Sequence, residues 1–339
     1  MRLRLYPVLF WGKLSKFSQS DSVSIMAELY IVTGGAGFIG SHLADRLLKD
    51  GHRVRIVDNF VTGKRSNLEA LSGDLEVIEA SITDLQALHQ AFAGADYVLH
   101  QAALPSVPRS IDDPLTSHEF NVTGTLNVLL AARDAGVKRV AYAASSSAYG
   151  DIQGEYKAET IAPHPLSPYG ASKLAGEYYC QAFTAAYGLE TVALRYFNVF
   201  GPRQDETSHY AAVIPRFAAA MLRGESPTIY GDGLQSRDFT YIDNVVHGNL
   251  LALRAPHAAG KTFNLATGSK ITLLDLIAKL NHLLGTEIAP NHDPPRVGDI
   301  KHSRADIDLA AELLNYAPIV DFDAGLAHTV TWYRQYLGM

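Results

Sequence analysis

Residues 33–40 read Thr-Gly-Gly-Ala-Gly-Phe-Ile-Gly and follow directly on a β-rich apolar run. Gly34 permits a tight turn, Gly37 lets the backbone approach a pyrophosphate at a helix N-terminus, and Gly40 lets that helix pack closely on the strand. Asp58 ends the next strand-like run, where a carboxylate accepts hydrogen bonds from an adenosine ribose and repels a 2′-phosphate. The motif therefore predicts a dinucleotide site that prefers NAD to NADP.

Short apolar runs alternate with helical stretches around this motif. Strands are predicted at Leu29–Thr33, Arg53–Asp58, Leu75–Glu79, Tyr97–His100, Arg139–Ala144 and Thr191–Arg195. Helices are predicted at Phe38–Asp50, Leu85–Ala93, Pro114–Ala135, Pro168–Gly188, Ala211–Gly224, Leu273–Leu284 and Ala305–Leu314. Because several strands are apolar on both faces and alternate with helices, we expect an α/β fold with a doubly wound parallel sheet.

The domain organisation follows from where this alternation begins and where it loosens. Met26 stands just before the first strand, so residues 1–25 are expected to be a disordered extension or to follow from a misassigned start codon, not to be a signal peptide. A Rossmann domain is expected over 26–197, with a returning segment near 238–266. A smaller α+β substrate domain is expected over 198–237 and 267–339, facing the carboxyl ends of the sheet.

Composition excludes several classes of function. The 339 residues include 29 basic and 35 acidic side chains, which give a net charge of −6 and no electrostatic footprint for nucleic acid. No run approaches the roughly 18 apolar residues that span a bilayer, so no membrane partner is expected. The single Cys180 excludes an intrachain disulfide and fits a reducing, cytoplasmic location. The histidines lack metal-ligand spacing, and no metal site is expected.

A second motif carries acid–base chemistry. The run Ser167-Pro168-Tyr169-Gly170-Ala171-Ser172-Lys173 offers an N-cap serine and an N1 proline, which set Tyr169 and Lys173 four residues apart on one helix face. The ammonium group, the helix N-terminus and an oxidised nicotinamide all favour phenolate, so the pKa of Tyr169 is expected to fall toward neutrality. Tyr169 is then a candidate general base. Ser145, after the strand Arg139–Ala144, is expected to bridge Tyr169 and a substrate oxygen.

The glycine spacing, the Tyr-x-x-x-Lys pair and the upstream serine together resemble the extended short-chain dehydrogenase/reductase superfamily. Further segments extend the resemblance over nearly the whole chain after Met26, most closely to nucleotide-sugar epimerases. Among these the sequence is most similar to bacterial UDP-N-acetylglucosamine 4-epimerases. The matching segments are His100–Ala103, Asn121–Thr125, Leu194–Gln204, Tyr210–Pro215, Ser236–Phe239, Tyr241–Asn244 and Arg296–Asp299.

The resemblance implies a complete set of site residues, with Ser145, Tyr169 and Lys173 as the catalytic ones. NAD would contact Gly34, Gly37, Phe38, Ile39, Asp58, Asn59, Ile82, Gln101, Tyr169, Lys173 and Tyr196. The UDP-sugar would contact Ser106, Ser146, Ser147, Asn198, Gln204, Ala212, Val213, Arg237, Arg296, Asp299 and Ser303. In that set the two arginines bind phosphates, and Asp299 binds the uridine ribose. Ser81 departs from the family, which has an acidic residue there for the adenine, so weaker binding on that side is expected.

The reaction that the resemblance implies is inversion at C4 of a UDP-hexose through a 4-keto sugar, with NAD regenerated in each turnover. The turn Ser146–Ala148 offers no acid or base for elimination, which disfavours the related dehydratases and decarboxylases. The expected substrates are UDP-N-acetylglucosamine and UDP-N-acetylgalactosamine, with UDP-glucose and UDP-galactose as further ones. A UDP-uronate 4-epimerase and a non-catalytic NAD-binding protein are the alternatives.

Ser303 supports the expectation of an N-acetylated sugar. In related epimerases the aligned residue borders the C2 substituent. It is tyrosine where only UDP-glucose and UDP-galactose react, and cysteine or serine where N-acetylated sugars enter. The other interpretation of Ser303 is an N-cap for a helix that begins at Arg304.

The family also implies a homodimer, formed through the helices predicted at Pro114–Ala135 and Pro168–Gly188. On the second of these, apolar residues recur at four-residue spacing, namely Leu174, Tyr178, Ala182 and Ala186. Such a stripe fits either a dimer interface or the core of one subunit.

Overall fold

The computed structural model describes residues 27–152, 154, 156–207, 212–295 and 301–339. The strands in chain order are β1 (Leu29–Thr33), β2 (Arg53–Asp58), β3 (Leu75–Glu79), β4 (Tyr97–His100), β5 (Arg139–Ser145), β6 (Glu190–Tyr196), β7 (Val199–Phe200), β8 (Thr228–Tyr230), β9 (Ser236–Arg237), β10 (Thr240–Tyr241), β11 (Lys261–Leu265), β12 (Ile271–Thr272), β13 (Asn291–Asp293) and β14 (His302–Ser303). The helices are α1 (Phe38–Lys49), α2 (Leu85–Ala91), α3 (Val107–Asp112), α4 (Pro114–His118), α5 (Gly124–Asp134), α6 (Pro168–Tyr187), α7 (Val213–Leu222), α8 (Ile242–Arg254), α9 (Leu273–Leu284), α10 (Asp308–Leu314) and α11 (Phe322–Tyr336).

Seven strands form one parallel sheet in the order β11-β6-β5-β4-β1-β2-β3. All residues of β1 and β4 are buried, as expected for strands with helices on both faces. The chain leaves β3 at one edge and returns to β4 beside β1, so the strand order reverses between β1 and β4. Doubly wound sheets bind ligands at such a switch point, outside the carboxyl ends of the strands.

Helices cover both faces of this sheet. Buried side chains of α1 and α8 pack on one face, and those of α2, α5 and α6 pack on the other. Each helix buries one apolar side, which is the arrangement expected for an α/β sandwich. Within the described ranges, no helix has the length and apolar character needed to cross a bilayer.

The chain after β6 builds a second lobe and then returns to the first. Helices α7, α9 and α11 pack together there, beside small sheets formed by β7 with β10, β8 with β13, and β12-β9-β14. Between these elements the chain adds α8 and β11 to the first lobe, within the predicted returning segment 238–266. One apolar cluster runs from α1 and the main sheet into α7, α9 and α11, so the two lobes share a core.

The predicted fold class is confirmed, and the first six strands match their predicted bounds to within one residue. The helix predicted at Pro114–Ala135 is instead α4 and α5 joined by a π-helical turn at Glu119–Thr123. The helix predicted at Ala305–Leu314 begins only at Asp308. Helices α3, α8 and α11 were not predicted.

Candidate functional site

Two cavities open at the carboxyl edge of the main sheet. The glycine cavity, of about 780 Å³, is lined by Gly34, Gly37 and Gly40 of the turn after β1. The serine cavity, of about 700 Å³, is lined by Ser145–Ser147 after β5. The two cavities share Ile39, Pro105, Ala144, Tyr169, Tyr196, Val199 and Ala212 as lining residues. Molecules that fill both cavities therefore lie next to each other at these shared residues.

The turn after β1 requires glycine and leaves backbone donors free for a ligand. Gly34 has a φ of +68°, and a Cβ there would lie 2.7 Å from the backbone nitrogen of Ala102. Gly37 is the N-cap of α1 and supplies no side-chain cap, so N–H groups of the first helical turn lack intrahelical acceptors. These donors and the helix dipole favour an anion such as a phosphate in the glycine cavity.

Asp58 fixes this turn from the end of β2. Its Oδ2 accepts a hydrogen bond from the backbone N–H of Ala36 at 2.9 Å, and its Oδ1 accepts one from Phe60 at 2.8 Å. Burial raises the pKa of Asp58, and the two hydrogen bonds oppose that rise. Each carboxylate oxygen keeps a second lone pair, and the side chain lines the glycine cavity, so Asp58 can also accept from a ribose hydroxyl.

The glycine cavity fits a dinucleotide, because it combines a cradle that a Cβ would fill, an uncapped helix N-terminus and a carboxylate at the end of β2. Lys64 and Arg65 follow that strand, and both have acidic partners. Lys64 pairs with Asp205 at 3.1 Å, and Arg65 pairs with Glu79. A 2′-phosphate would meet Asp58 while these two cations are already engaged, which is consistent with NAD as the cofactor.

Residues 202–205 belong to the second lobe, and we call this segment the strap. Its residues 203–205 line the glycine cavity. On α1, His42 Nε2 lies 2.9 Å from the carbonyl oxygen of Pro202. Arg203 pairs with Asp45 of the same helix at 3.2 Å. The strap therefore joins the helix that follows the glycine turn to the second lobe.

The three predicted catalytic residues lie where the two cavities meet. Ser167 caps α6 with its side chain, so Tyr169 falls in the first turn of that helix. Tyr169 lines both cavities, and Ser145 lies near enough to its hydroxyl to lower its pKa. One turn further along, Lys173 lines the glycine cavity and donates from Nζ to the carbonyl oxygen of Ala143 at 2.9 Å.

The electrostatics of Tyr169 differ from the expectation drawn from the sequence. Burial raises the pKa of Tyr169, and Ser145 offsets only part of that rise. Burial also lowers the pKa of Lys173 to about 8, against the opposing influence of Cys180 and Glu177. In the protein alone, desolvation of the phenol thus keeps the pKa of Tyr169 above its ordinary value. The expected fall toward neutrality, which includes the charge of an oxidised nicotinamide, stays a prediction for the NAD-bound protein.

Seven of the predicted substrate residues line the serine cavity, namely Ser146, Ser147, Asn198, Ala212, Val213, Arg237 and Ser303. Ser303 is 6% exposed and lies in β14, in register with Arg237 of β9. Helix α10 begins only at Asp308, with Ile307 at its N-cap. The interpretation of Ser303 as an N-cap is therefore wrong.

Several predicted residues lie elsewhere. Ser106 and Gln204 line the glycine cavity instead of the serine cavity, and Gln204 Oε1 is buried there without a partner among the described residues. Asn59 and Ile82 line neither cavity. Asn59 accepts from the backbone of its own loop, and Ile82 packs in the core. The last two predicted residues, Arg296 and Asp299, lie outside the described residues.

Sequence reasoning missed Lys157. This lysine is 4% exposed, lines the serine cavity and donates from Nζ to the carbonyl oxygen of Gly150 at 3.0 Å. It stands in an irregular segment after β5 without hydrophobic periodicity, so no pattern in the sequence marks it. Only the fold brings it to the cavity.

No metal centre emerges from the described part of the chain, where no group of three or more His, Cys, Asp or Glu side chains is arranged to hold an ion. His100 at the end of β4 lies between two threonine hydroxyls, 2.7 Å from Thr33 Oγ1 and 3.0 Å from Thr125 Oγ1. Burial lowers its pKa to about 3, so His100 is neutral and serves to join β1, β4 and α5.

Comparison with known proteins agrees with this geometry. The sequence model of the NAD dependent epimerase/dehydratase family matches residues 30–266. A UDP-glucose 4-epimerase of Mycolicibacterium smegmatis is 38% identical over 309 residues, which cover 90% of this chain and 98% of that protein. A UDP-N-acetylglucosamine 4-epimerase from Methanobrevibacter ruminantium, solved with UDP-N-acetylmuramic acid, has a TM-score of 0.88 and 40% identity, covering 91% of this chain and 99% of that one. A UDP-glucose 4-epimerase from Thermotoga maritima, solved with UDP-glucose, has a TM-score of 0.87 and 39% identity, with the same coverage.

Proposed function

The chain belongs to the NAD-dependent epimerase/dehydratase family, and from that premise we propose that it interconverts UDP-N-acetylglucosamine and UDP-N-acetylgalactosamine. It is an isomerase of the UDP-sugar 4-epimerase type, and its cofactor is NAD. The observation that carries the proposed substrate is Ser303, a small side chain on the wall of the serine cavity.

The proposed chemistry needs one proton moved at O4 of the sugar. Tyr169 takes that proton as phenolate, the form that the positive charges of Lys173 and of bound NAD would favour over the neutral phenol. Ser145, which influences the pKa of Tyr169, orients the O4 hydroxyl. NAD, when bound, supplies the reversible oxidation of the sugar at C4. Lys173 lines the glycine cavity beside Tyr169, where its ammonium group stabilises the phenolate. The same residues return the proton after the sugar has turned its other face toward the glycine cavity.

The UDP part of the substrate holds the molecule while the sugar turns. We assign Arg237 and Arg296 to the diphosphate and Asp299 to the uridine ribose, because guanidinium groups match phosphate oxygens. Asn198 supports this end of the cavity from a backbone with φ of +34°, and its amide donates to the carbonyl of Asp238 at 3.0 Å. A firmly held nucleotide and a loosely held sugar permit the rotation that the reaction requires.

Ser303 leaves room for an acetamido group at C2. Its side chain is buried in the wall of the cavity and does not cap helix α10. A phenol ring in the same position would occupy the space into which the substituent must swing. Overpacking of this kind costs about 1–3 kcal/mol, which corresponds to roughly 10- to 100-fold in reactivity.

The proposed substrate is tested by following C4 configuration in UDP-N-acetylglucosamine, UDP-glucose and UDP-glucuronate with the wild-type protein and Ser303→Tyr. We expect the wild type to epimerise the N-acetylated sugar at least as well as UDP-glucose. Ser303→Tyr should lose at least about 10-fold on the former and keep the latter. Faster wild-type turnover of UDP-glucuronate, or an unchanged rate on the N-acetylated sugar in the variant, would contradict the assignment.

The proposed assembly is a homodimer formed by α4, α5 and α6. Of the predicted stripe on α6, Tyr178, Ala182 and Ala186 are exposed and Leu174 is partly buried, which favours an interface over the core. Leu115 on α4, beside α6, is 82% exposed.

We also propose a role for each segment of the chain: 26–197 and 238–266 hold NAD, and 198–237 and 267–339 hold the UDP-sugar. The proposed location is the cytoplasm, where the sole cysteine stays reduced.

A further inference from the structure

Lys157 is a buried ammonium group that the described residues do not fully pair. In the described part of the chain the Gly150 carbonyl is its hydrogen-bond partner, and an ammonium group has three N–H donors. The charged side chains among the described lining of the serine cavity are Lys157, Arg216 and Arg237, all of them basic. Because a buried charge is unfavourable unless it is hydrogen-bonded, the two remaining donors of Lys157 favour an acceptor on the bound ligand.

The backbone fixes Lys157 beside the segment that follows Ser303. Its N–H donates to the carbonyl of Arg304 at 2.9 Å, and its carbonyl accepts from the N–H of Asp306 at 3.1 Å. These two residues stand one and three places after Ser303 in the chain. Its Nζ is bonded to Gly150, which closes the turn that begins with the serines after β5. The ammonium group therefore lies between the serine turn and the wall that contains Ser303.

We propose that Lys157 is a specificity-determining residue that donates from Nζ to the carbonyl oxygen of an acetamido group on C2 of the sugar. The inference rests on the proposed function, which puts the C2 substituent beside Ser303. An amide oxygen is a better acceptor than the hydroxyl that glucose has at C2. Burial lowers the pKa of Lys157 to about 8, with Arg237 adding to that effect and Asp151 opposing it, so the group is still mostly charged at pH 7.

Lys157→Met tests this assignment, because methionine keeps most of the length of the side chain and removes the donors. We expect kcat/KM for UDP-N-acetylglucosamine to fall about 10- to 100-fold and kcat/KM for UDP-glucose to change less than about 3-fold. Lys157→Gln, which restores a neutral donor, should recover part of the loss. Lys301→Met is the matched control, because that lysine is exposed on the segment leading into β14, and neither substrate should be affected.

Two outcomes would overturn the assignment. Equal losses on both sugars would mean that Lys157 only holds Gly150 and the serine turn. A larger loss on UDP-glucuronate than on UDP-N-acetylglucosamine would mean that the ammonium group binds a C6 carboxylate.

Calorimetric binding of UDP-N-acetylglucosamine and UDP-glucose separates this proposal from the proposed function. If the wild type does not epimerise UDP-N-acetylglucosamine, the proposed function fails. The assignment of Lys157 still stands if Lys157→Met weakens binding of that nucleotide sugar alone, and it is rejected if the variant weakens binding of both or of neither. Thermal unfolding of each variant, compared with the wild type, shows whether the fold is intact.

Discussion

Tyr169 is the residue on which the proposed chemistry depends, because it lines both cavities and its pKa responds to Ser145 beside it. Tyr169→Phe removes only the hydroxyl and leaves the ring in its place. We expect turnover to fall at least about 100-fold, the usual contribution of a general base, while NAD binding and the free energy of unfolding stay near wild-type values. The measurements are the rate of C4 inversion and the absorbance of cofactor bound to the purified protein.

Tyr178→Phe is the matched control for that experiment. Tyr178 lies on the same helix and is 55% exposed, away from both cavities. The Tyr178→Phe variant should invert the C4 configuration at the wild-type rate. Near-normal turnover in Tyr169→Phe would show that another group removes the O4 proton.

At this scale, the sequence predicted the residues whose role depends on local spacing. Gly34 and Gly37 lie at one strand-to-helix turn, and Tyr169 and Lys173 lie one helical turn apart. The spatial relation within each pair therefore follows from the short distance between its members in the sequence. The sequence could not predict the raised pKa of Tyr169, because desolvation depends on what the fold packs around the ring. Lys157 was missed for the same reason, since segments distant in the chain bury it.

Helix α1 and the strap are joined by a titratable contact, because His42 Nε2 lies 2.9 Å from the carbonyl oxygen of Pro202. Burial lowers the pKa of His42 from its ordinary 6.5 to about 4, with Arg203 of the strap adding to that effect. The unfolded chain therefore binds this proton more readily than the folded protein. The stabilisation from neutral His42 is complete above pH 6.5 and is lost as the pH falls toward 4.

We expect the wild type to lose about 1–2 kcal/mol of unfolding free energy from this group between pH 7 and pH 5. His42→Gln keeps a donor for the Pro202 carbonyl but cannot titrate, so its unfolding free energy should fall less over the same range. Urea unfolding at the two pH values measures the difference.

His89→Gln is the control, because it changes an exposed histidine on α2. Its unfolding free energy should fall with pH as much as that of the wild type. A His42→Gln variant as acid-sensitive as the wild type would refute the assignment.

The elements themselves were predictable to different degrees. Buried parallel strands such as β1 and β4 are continuous apolar runs bounded by turn residues, so their ends are visible in the sequence. Helix α3 has six residues, too few for a long periodic pattern. Helix α11 does have such a pattern, because its buried residues recur at three- and four-residue spacing from Phe322 to Tyr333, so its absence from the prediction was an oversight. The π-helical turn at Glu119–Thr123 is also invisible to periodicity, because it interrupts the helix without any glycine or proline inside it.

At the scale of the whole molecule, the exposed apolar side chains of α4 and α6 predict self-association. Leu115→Glu combined with Tyr178→Glu would put two charges into the proposed interface, where they cannot be paired. We expect the wild type to have the mass of a dimer in light scattering and the double variant to have that of a monomer.

Ile319→Glu is the control for the dimer experiment. This residue is 55% exposed and precedes α11 in the second lobe, so its substitution should leave the mass unchanged. A monomeric wild type, or a double variant that stays dimeric, would exclude this interface.

The return of the chain to the main sheet has a consequence for how the protein is made. Strand β11 is the edge strand beside β6, yet it is synthesised only after the first part of the second lobe, residues 198–237. While the ribosome is still producing residues 197–260, the nascent chain has its first six strands but an open edge at β6 and an uncovered face where α8 will pack. Unpaired edges of this kind pair readily with other chains, so we expect the growing polypeptide to be most prone to aggregation until the segment that contains β11 has left the exit tunnel.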